Sequence, residues 1–255
     1  MRSPSKIFVL VVMALSLAVA ACGGGSSDSP PTPLSMRYDD MHIAQVPLDQ
    51  KQTVVTTQND WSVAKMENAK AEADYNTITS QLTVVRNDRQ KAKLQVDSAI
   101  SNKKAAEASS DTNKVNAAQK DLHSAELAVK AADARIRYYD AYRAYLFVLW
   151  RYTQENMYWR ESQYELAKSA VGQKNNIAPK GITYDTFPKQ EAERGKRAAA
   201  ARQKTEAEKG KATSAREGWI KLQQSADQSS GTPSSFPDPM LPSVQPTTAG
   251  TSLRP

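Results

Sequence analysis

Residues 115–171 read VNAAQKDLHSAELAVKAADARIRYYDAYRAYLFVLWRYTQENMYWRESQYELAKSAV, and the spacing of their apolar side chains decides the fold. Alternating steps of three and four from Val115 land on Ala118, Leu122, Ala125, Val129, Ala132, Ile136, Tyr139, Arg143, Leu146, Trp150, Thr153, Met157, Arg160, Tyr164, Ala167 and Val171. Most of these positions are apolar, and the alternation never breaks. A heptad seam kept this long predicts a coiled coil rather than the surface helix of a globular domain.

The same rhythm runs upstream through Ala64, Ala71, Tyr75, Ile78, Leu82, Val85, Arg89, Ala92, Val96, Ala99, Lys103 and Ala106, with Asn68 as a polar member. Ser109-Ser110-Asp111-Thr112-Asn113 separates the two runs, and its small polar residues stop one helix and cap the next. Facing residues of an antiparallel hairpin have a constant sum of numbers. Ala106 with Ala118, Ala99 with Ala125, Val85 with Tyr139 and Ile78 with Leu146 share one such sum. The alternate layers, such as Val96 with Val129, Tyr75 with Trp150 and Trp61 with Tyr164, share the next. Val54 with Val171 extends that frame, which puts Pro47 in the first turn of helix one. The β-branched run Thr53-Val54-Val55-Thr56-Thr57 opposes helix there. A helix from Leu48 to Ala108 would be about 90 Å long, a rod with a narrow seam in place of a thick core.

Helix two should run from about residue 113 to Gly172, a natural C-cap. After a breaker-rich connection, Asp185 or Thr186 would cap a third helix reaching about Ser225. Its own seam looks poor, since Ala192, Ala199, Gly210 and Ala212 are small and only Trp219, Ile220 and Leu222 are large. The stretch Tyr138–Tyr164 of helix two, however, is aromatic or aliphatic all round and so needs cover on more than one side. Folding helix three back would set Trp219 and Ile220 near Tyr139 and Ala199 near Arg160. The expected fold is therefore all-α: a long antiparallel coiled-coil hairpin, a third helix packed at its base, and a bare two-helix coil toward the tip.

Before the helices, Arg2 and Lys6 precede an apolar stretch from Ile7 to Leu17 and the run Leu17-Ala18-Val19-Ala20-Ala21-Cys22. That is the charged start, hydrophobic centre and small-residue cleavage site of an export signal, too short to span a bilayer comfortably. Cys22 is the chain's one cysteine. With Val19, Ala20 and Ala21 before it, it resembles the lipobox of bacterial lipoproteins. The resemblance covers about the first 25 residues. It implies a diacylglyceryl thioether on Cys22, cleavage before it and acylation of the new amino terminus. Several acyl chains, at ~0.8 kcal/mol per buried methylene, would make the anchor permanent. Gly23, where an aspartate would hold the protein at the inner membrane, implies passage to an outer membrane facing the periplasm.

Four zones follow: a signal at 1–21, a lipidated cysteine and flexible tether at 22–46, the helical domain at 47–226, and a disordered Pro/Ser/Thr-rich tail at 227–255. The net charge is +7, and removing Arg2 and Lys6 leaves +5, too little to indicate a nucleic-acid partner. No cysteine remains for a disulfide. From Pro188 to Ala226 there are ten Lys or Arg against five Glu, with Arg197, Lys204 and Lys211 at heptad spacing. These three are candidate contacts for an anionic envelope polymer or lipid headgroups, a salt-sensitive interaction.

Catalytic chemistry is not legible. His42 and His123 sit in different zones, no Cys/His set offers a metal site, and no Gly-rich loop joins strand to helix for a nucleotide cofactor. The reading is a non-enzymatic, membrane-anchored structural or interaction lipoprotein whose partner in the envelope the sequence does not name. A periplasmic holdase or an adaptor subunit of a transport or secretion complex is the alternative. A cell-wall hydrolase would need catalytic groups that are not apparent.

Overall fold

The computed structural model describes residues 30–241, so Cys22 and the chain beyond Leu241 lie outside the described residues. Three helices carry the architecture: α1 (Gln52–Ala108), α2 (Thr112–Lys174) and α3 (Thr186–Ser230). Two short 3-10 turns, Asp40–Ile43 and Leu48–Lys51, lead into α1. The fold is all-α, as the periodicity required.

α1 and α2 form the antiparallel hairpin in the expected register. Ala64, Ala71, Ile78, Val85, Ala92 and Ala99 are buried, one every seventh residue of α1. Trp61 stacks on Tyr164 with ring centroids 5.7 Å apart, and Tyr75 on Trp150 at 5.9 Å. Ion pairs of Asp88 with Arg135 and of Arg89 with Asp133 flank the seam. Arg135 is buried and its three neighbours in these pairs are half-buried, and pairs taken this far out of water offset their own desolvation without a guaranteed surplus, so the apolar seam fixes the register and the charges only trim it. The seam is graded. Ile78, Leu82 and Val85 cluster with Tyr138, Tyr139 and Leu146 at mid-length, whereas toward the tip the buried residues are Ala92, Ala99 and Ala118.

The tip closes as its sequence predicts. Ser110 takes a left-handed conformation (φ 54°), and the Asp111 carboxylate accepts from the amides of Asn113 and Lys114 at 3.0 and 3.3 Å. At the other end of α1, Pro47 caps the 3-10 turn rather than starting the α-helix itself. The β-branched run is nonetheless helical. Thr56 and Thr57 donate their hydroxyls back to the carbonyls of Gln52 and Thr53, and Val54 is buried beside Val171. Tertiary burial here outweighs intrinsic propensity.

α2 continues past Gly172 to Lys174 and ends in a Schellman motif. Ile177 N–H donates to Gly172 O at 3.0 Å and Asn176 N–H to Gln173 O at 3.1 Å, with Asn176 left-handed at φ 55°. Gly172 serves instead as a point of close approach: a Cβ there would overlap the Tyr38 hydroxyl. α3 also runs further than expected, to Ser230, where Gly231 (φ 71°) donates to Asp227 O.

The seam of α3 is more regular than the sequence suggested, keeping Ala212 and Trp219 and adding Ala198, Thr205 and Ala226. Ala198, Thr205, Ala212, Trp219 and Ala226 are buried at strict heptad spacing, while Ala192, Ala199 and Gly210 face outward. α3 reaches from the base to Ser124 of α2, whose hydroxyl bonds Ser229 O at 3.0 Å, so the expected bare coil shrinks to the last few turns of the hairpin. Nor is the base a closed three-helix bundle. α2 lies between α1 and α3, and α1 and α3 nowhere bring Cα atoms within 8 Å of each other. Trp219 does meet the aromatic zone, stacking on Tyr138 at 5.4 Å beside Tyr139 and Tyr142.

Both flanks of the helical domain are corrected as well. Residues 34–46, expected as tether, bury Leu34, Tyr38, Ile43 and Val46, because these apolar side chains outweigh the neighbouring prolines. Residues 227–230 complete α3. Beyond Gly231, Pro237 O accepts from Tyr139 Oη, and Asp238 accepts from Tyr138 Oη at 2.6 Å and from Arg216 at 2.5 Å.

Trp219→Ala should lower unfolding stability by ~3–5 kcal/mol in urea titration, the cost of emptying a packed aromatic site. Trp219→Phe keeps a ring over Tyr138 and discards an indole N–H that has no acceptor, so it should retain most of that stability.

Candidate functional site

Among the described residues, all the buried charges but Arg135 lie at the end opposite the hairpin tip. Residues 31–51 form a strap that crosses the C-terminal turns of α2 and the first turns of α3. Phe187 and Val171 supply its apolar floor, and Tyr38 rests on Gly172. α2 offers Glu161, Glu165 and Lys168 on one face, all buried. Arg37 of the strap pairs with Glu161 at 2.7 Å, and Glu165 accepts from the Tyr38 amide at 2.6 Å. Lys168 pairs with Asp40 at 2.7 Å and with Glu165 at 3.0 Å. From α3, the Gln190 amide brackets Met36, accepting from its N–H at 3.0 Å and donating to its C=O at 2.9 Å. Arg194 donates to Thr32 O and Pro33 O. Side chains thus satisfy the backbone of an extended segment that has no strand partner.

Burial governs the protonation of this site. It pushes Glu165 up, even though the Tyr38 amide and Lys168 favour the carboxylate, and it pushes Glu155 up against the opposing Arg194 and Arg197. Tyr164 is pushed up to about 12, by burial first and then by Asp40. Burial also raises Tyr38 and Tyr138 well above the usual phenol range, and takes Tyr142 up to about 12.

The basic residues singled out on α3 share one outward face, but their charges are unequal. Arg197 is paired with Glu193 at 2.8 Å and Lys211 with Glu208 at 2.6 Å, while Lys204 has no salt-bridge partner among the described residues. Arg194 and Arg216 turn inward to the strap and to Asp238. The i,i+3 and i,i+4 glutamates that neutralise Arg197 and Lys211 were legible in the sequence. The strap was not, because Arg37, Tyr38 and Asp40 pair with residues more than a hundred positions away.

His42 packs edge-on to the Tyr38 ring, and among the described residues no cluster of His, Cys, Asp or Glu could hold a metal. A groove of about 450 Å³ lies where α3 stops, between Ala99 and Asn102 of α1 and Asp121 and Ala125 of α2. Asp121 is the one ionisable group in its lining. No family model, no curated protein and no solved structure matches this chain.

Gly172→Ala should lift the strap by forcing Cβ into the Tyr38 hydroxyl, at a cost of ~1–3 kcal/mol for overpacking. Hydrogen exchange should then quicken across residues 34–46 while the α1–α2 seam stays protected. A second outcome concerns alkali. The folded state holds Tyr142 and Tyr164 neutral while the unfolded chain ionises them near 10.0, so their contribution is complete below that pH. Stability should fall as pH rises from there toward about 12, with tyrosinate absorbance appearing late and in step with unfolding.

Proposed function

We propose that this chain is a lipoprotein of the bacterial envelope, held by acyl chains on Cys22 and acting through a long helical hairpin rather than through catalysis. The observation that carries the reading is the placement of the strap. The chain that arrives from Cys22 through Pro30 is clamped at the base by Glu161, Glu165, Lys168, Gln190 and Arg194. Seven residues separate Cys22 from Pro30, a reach of under about 30 Å. An anchor on Cys22 therefore belongs to the base, and the Ser109–Asp111 turn lies some 85 Å away along the 57 residues of α1. The role that suits such a body is structural: a spacer or bridge from the membrane to a partner met by its tip or its sides. The basic row Arg197, Lys204 and Lys211 of α3, with Lys204 unpaired among the described residues, supplies one such side, suited to an anionic envelope polymer. Gly23 favours an outer-membrane address on the periplasmic face.

Cys22→Ser should abolish incorporation of a radiolabelled fatty acid and leave the precursor uncut, visible as a slower band on a gel. Label retained by the mutant would refute the anchor.

A further inference from the structure

The outer face of α1 carries a second heptad stripe. Steps of three and four from Thr56 through Asn59, Val63 and Met66 run on to Val84, Leu94 and finally Ala108, sixteen positions in all, every one exposed. Most of it lies on the side of α1 away from the seam with α2, while Leu94 and Ser98 also line the groove where α3 stops. Among the described residues, every large apolar side chain exposed on the three helices belongs to α1, and four of the six, Val63, Met66, Val84 and Leu94, lie on this stripe. The stripe holds just two charges, Lys70 and Lys91, each drawn to an acid of its own helix, Asp74 at 2.6 Å and Asp88 at 3.6 Å. An outward face of a solvated helix is ordinarily charged, as that of α3 is. This one keeps the rhythm of a seam, and Val63, Met66, Ala73, Val84, Leu94, Ala105 and Ala108 make seven of its sixteen positions apolar.

We infer that the stripe pairs with the same stripe of a second copy, in parallel and in register, giving the helix order α3–α2–α1–α1′–α2′–α3′. The residue types select that occupant. The positions that begin each heptad step are β-branched at Val63 and Val84, and those three residues further on are Met66 and Leu94. Such a division favours two parallel strands, and the lone lysines fix register. The flanks select the direction. One carries Asp60, Glu67, Asp74 and Asp88, and the other carries Ser62, Ala69, Asn76 and Thr83, with Asp97 and Lys104 further on. Parallel pairing sets each acid against a neutral residue, whereas antiparallel pairing sets acid against acid. Parallel copies also bring both bases to one end, as two anchors in one membrane require, and in this respect the inference rests on the proposed lipoprotein.

The extent is adequate. A stable interface buries about 800 Å² per partner, or roughly 50 Å² from each of the sixteen positions. With few large side chains the affinity is modest, and confinement to a membrane raises the effective concentration of the second copy.

The test uses the full chain in its native membranes, with Met66→Cys, Val84→Cys and Leu94→Cys made singly. Lys204→Cys on α3 and the unaltered chain serve as controls. A parallel, in-register pair gives disulfide-linked dimers from all three under mild oxidation and none from the controls. Dimers from fewer than three, or at the level of Lys204→Cys, overturn the inference, since an antiparallel pair joins a cysteine to itself at no more than one position. Adding Leu94→Glu to Val84→Cys should cut the dimer yield severalfold; an unchanged yield also counts against the pairing. Fatty-acid labelling of the same samples separates the two readings. Labelled chains without cross-links sink the pairing alone, and unlabelled chains with all three cross-links sink the anchor alone.

Discussion

One helix has to bury two faces at once, and the remainder of the structure follows from that demand. α2 packs α1 along one side and α3 along the other, and its aromatic stretch is wide enough to need both. A two-stranded seam would leave Tyr138, Tyr142 and Tyr145 half in water. With Trp219 stacked on Tyr138, and the chain beyond α3 laid over two phenol oxygens, the rings gain apolar cover and the hydroxyls of Tyr138 and Tyr139 keep partners. α1 and α3 bring no Cα atoms within 8 Å of each other, so α2 joins them, with the strap adding its bonds to Gln190 and Arg194 of α3. α2 is the shared wall of two otherwise separate interfaces.

The buried charges at the base answer a different requirement. Taking Glu161, Glu165 and Lys168 out of water costs several kcal/mol per ion before pairing, and their partners offset much of that without a guaranteed surplus. An apolar strap of similar volume would hold as well or better. What paired charges add is position: Arg37, the Tyr38 amide and Asp40 can meet that row in one alignment only, so the extended segment cannot slide.

The helical hairpin was legible because its information is local and repeated. Each heptad restates the same pattern, and the aromatic pairs Trp61–Tyr164 and Tyr75–Trp150 confirm a register derived by matching numbers alone. The seam of α3 was harder to read. Its buried residues are alanines and a threonine, and in a sequence rich in alanine on every face the choice between Ala198 and Ala199 has no local signature. Gly172 misled for a related reason: a glycine near a helix end reads as a cap, and only the arrival of Tyr38 from far away in sequence reveals it as a site of close approach. The straps went unseen because proline, serine and glycine set the tone of those stretches, while the few residues that anchor them, Leu34, Tyr38, Ile43 and Asp238, find their partners on distant helices. On α3, Arg197 and Lys211 each have a glutamate one turn away that takes up the charge, a pairing written in the i,i+3 and i,i+4 spacing.

The strap also has a place in time. The hairpin joins neighbours in the chain and can zip from its turn outward, the kind of local pairing that folds fast. The strap cannot form so early. Its bonds to Gln190 and Arg194 close loops of 154 to 162 residues, and they need a floor that exists only once α2 is complete and α3 has docked on it. A chain released amino terminus first would thus hold these first-made residues idle until nearly everything after them is built. Fastening of the base is the last step of assembly, and a base that is fastened certifies that the rod above it is whole.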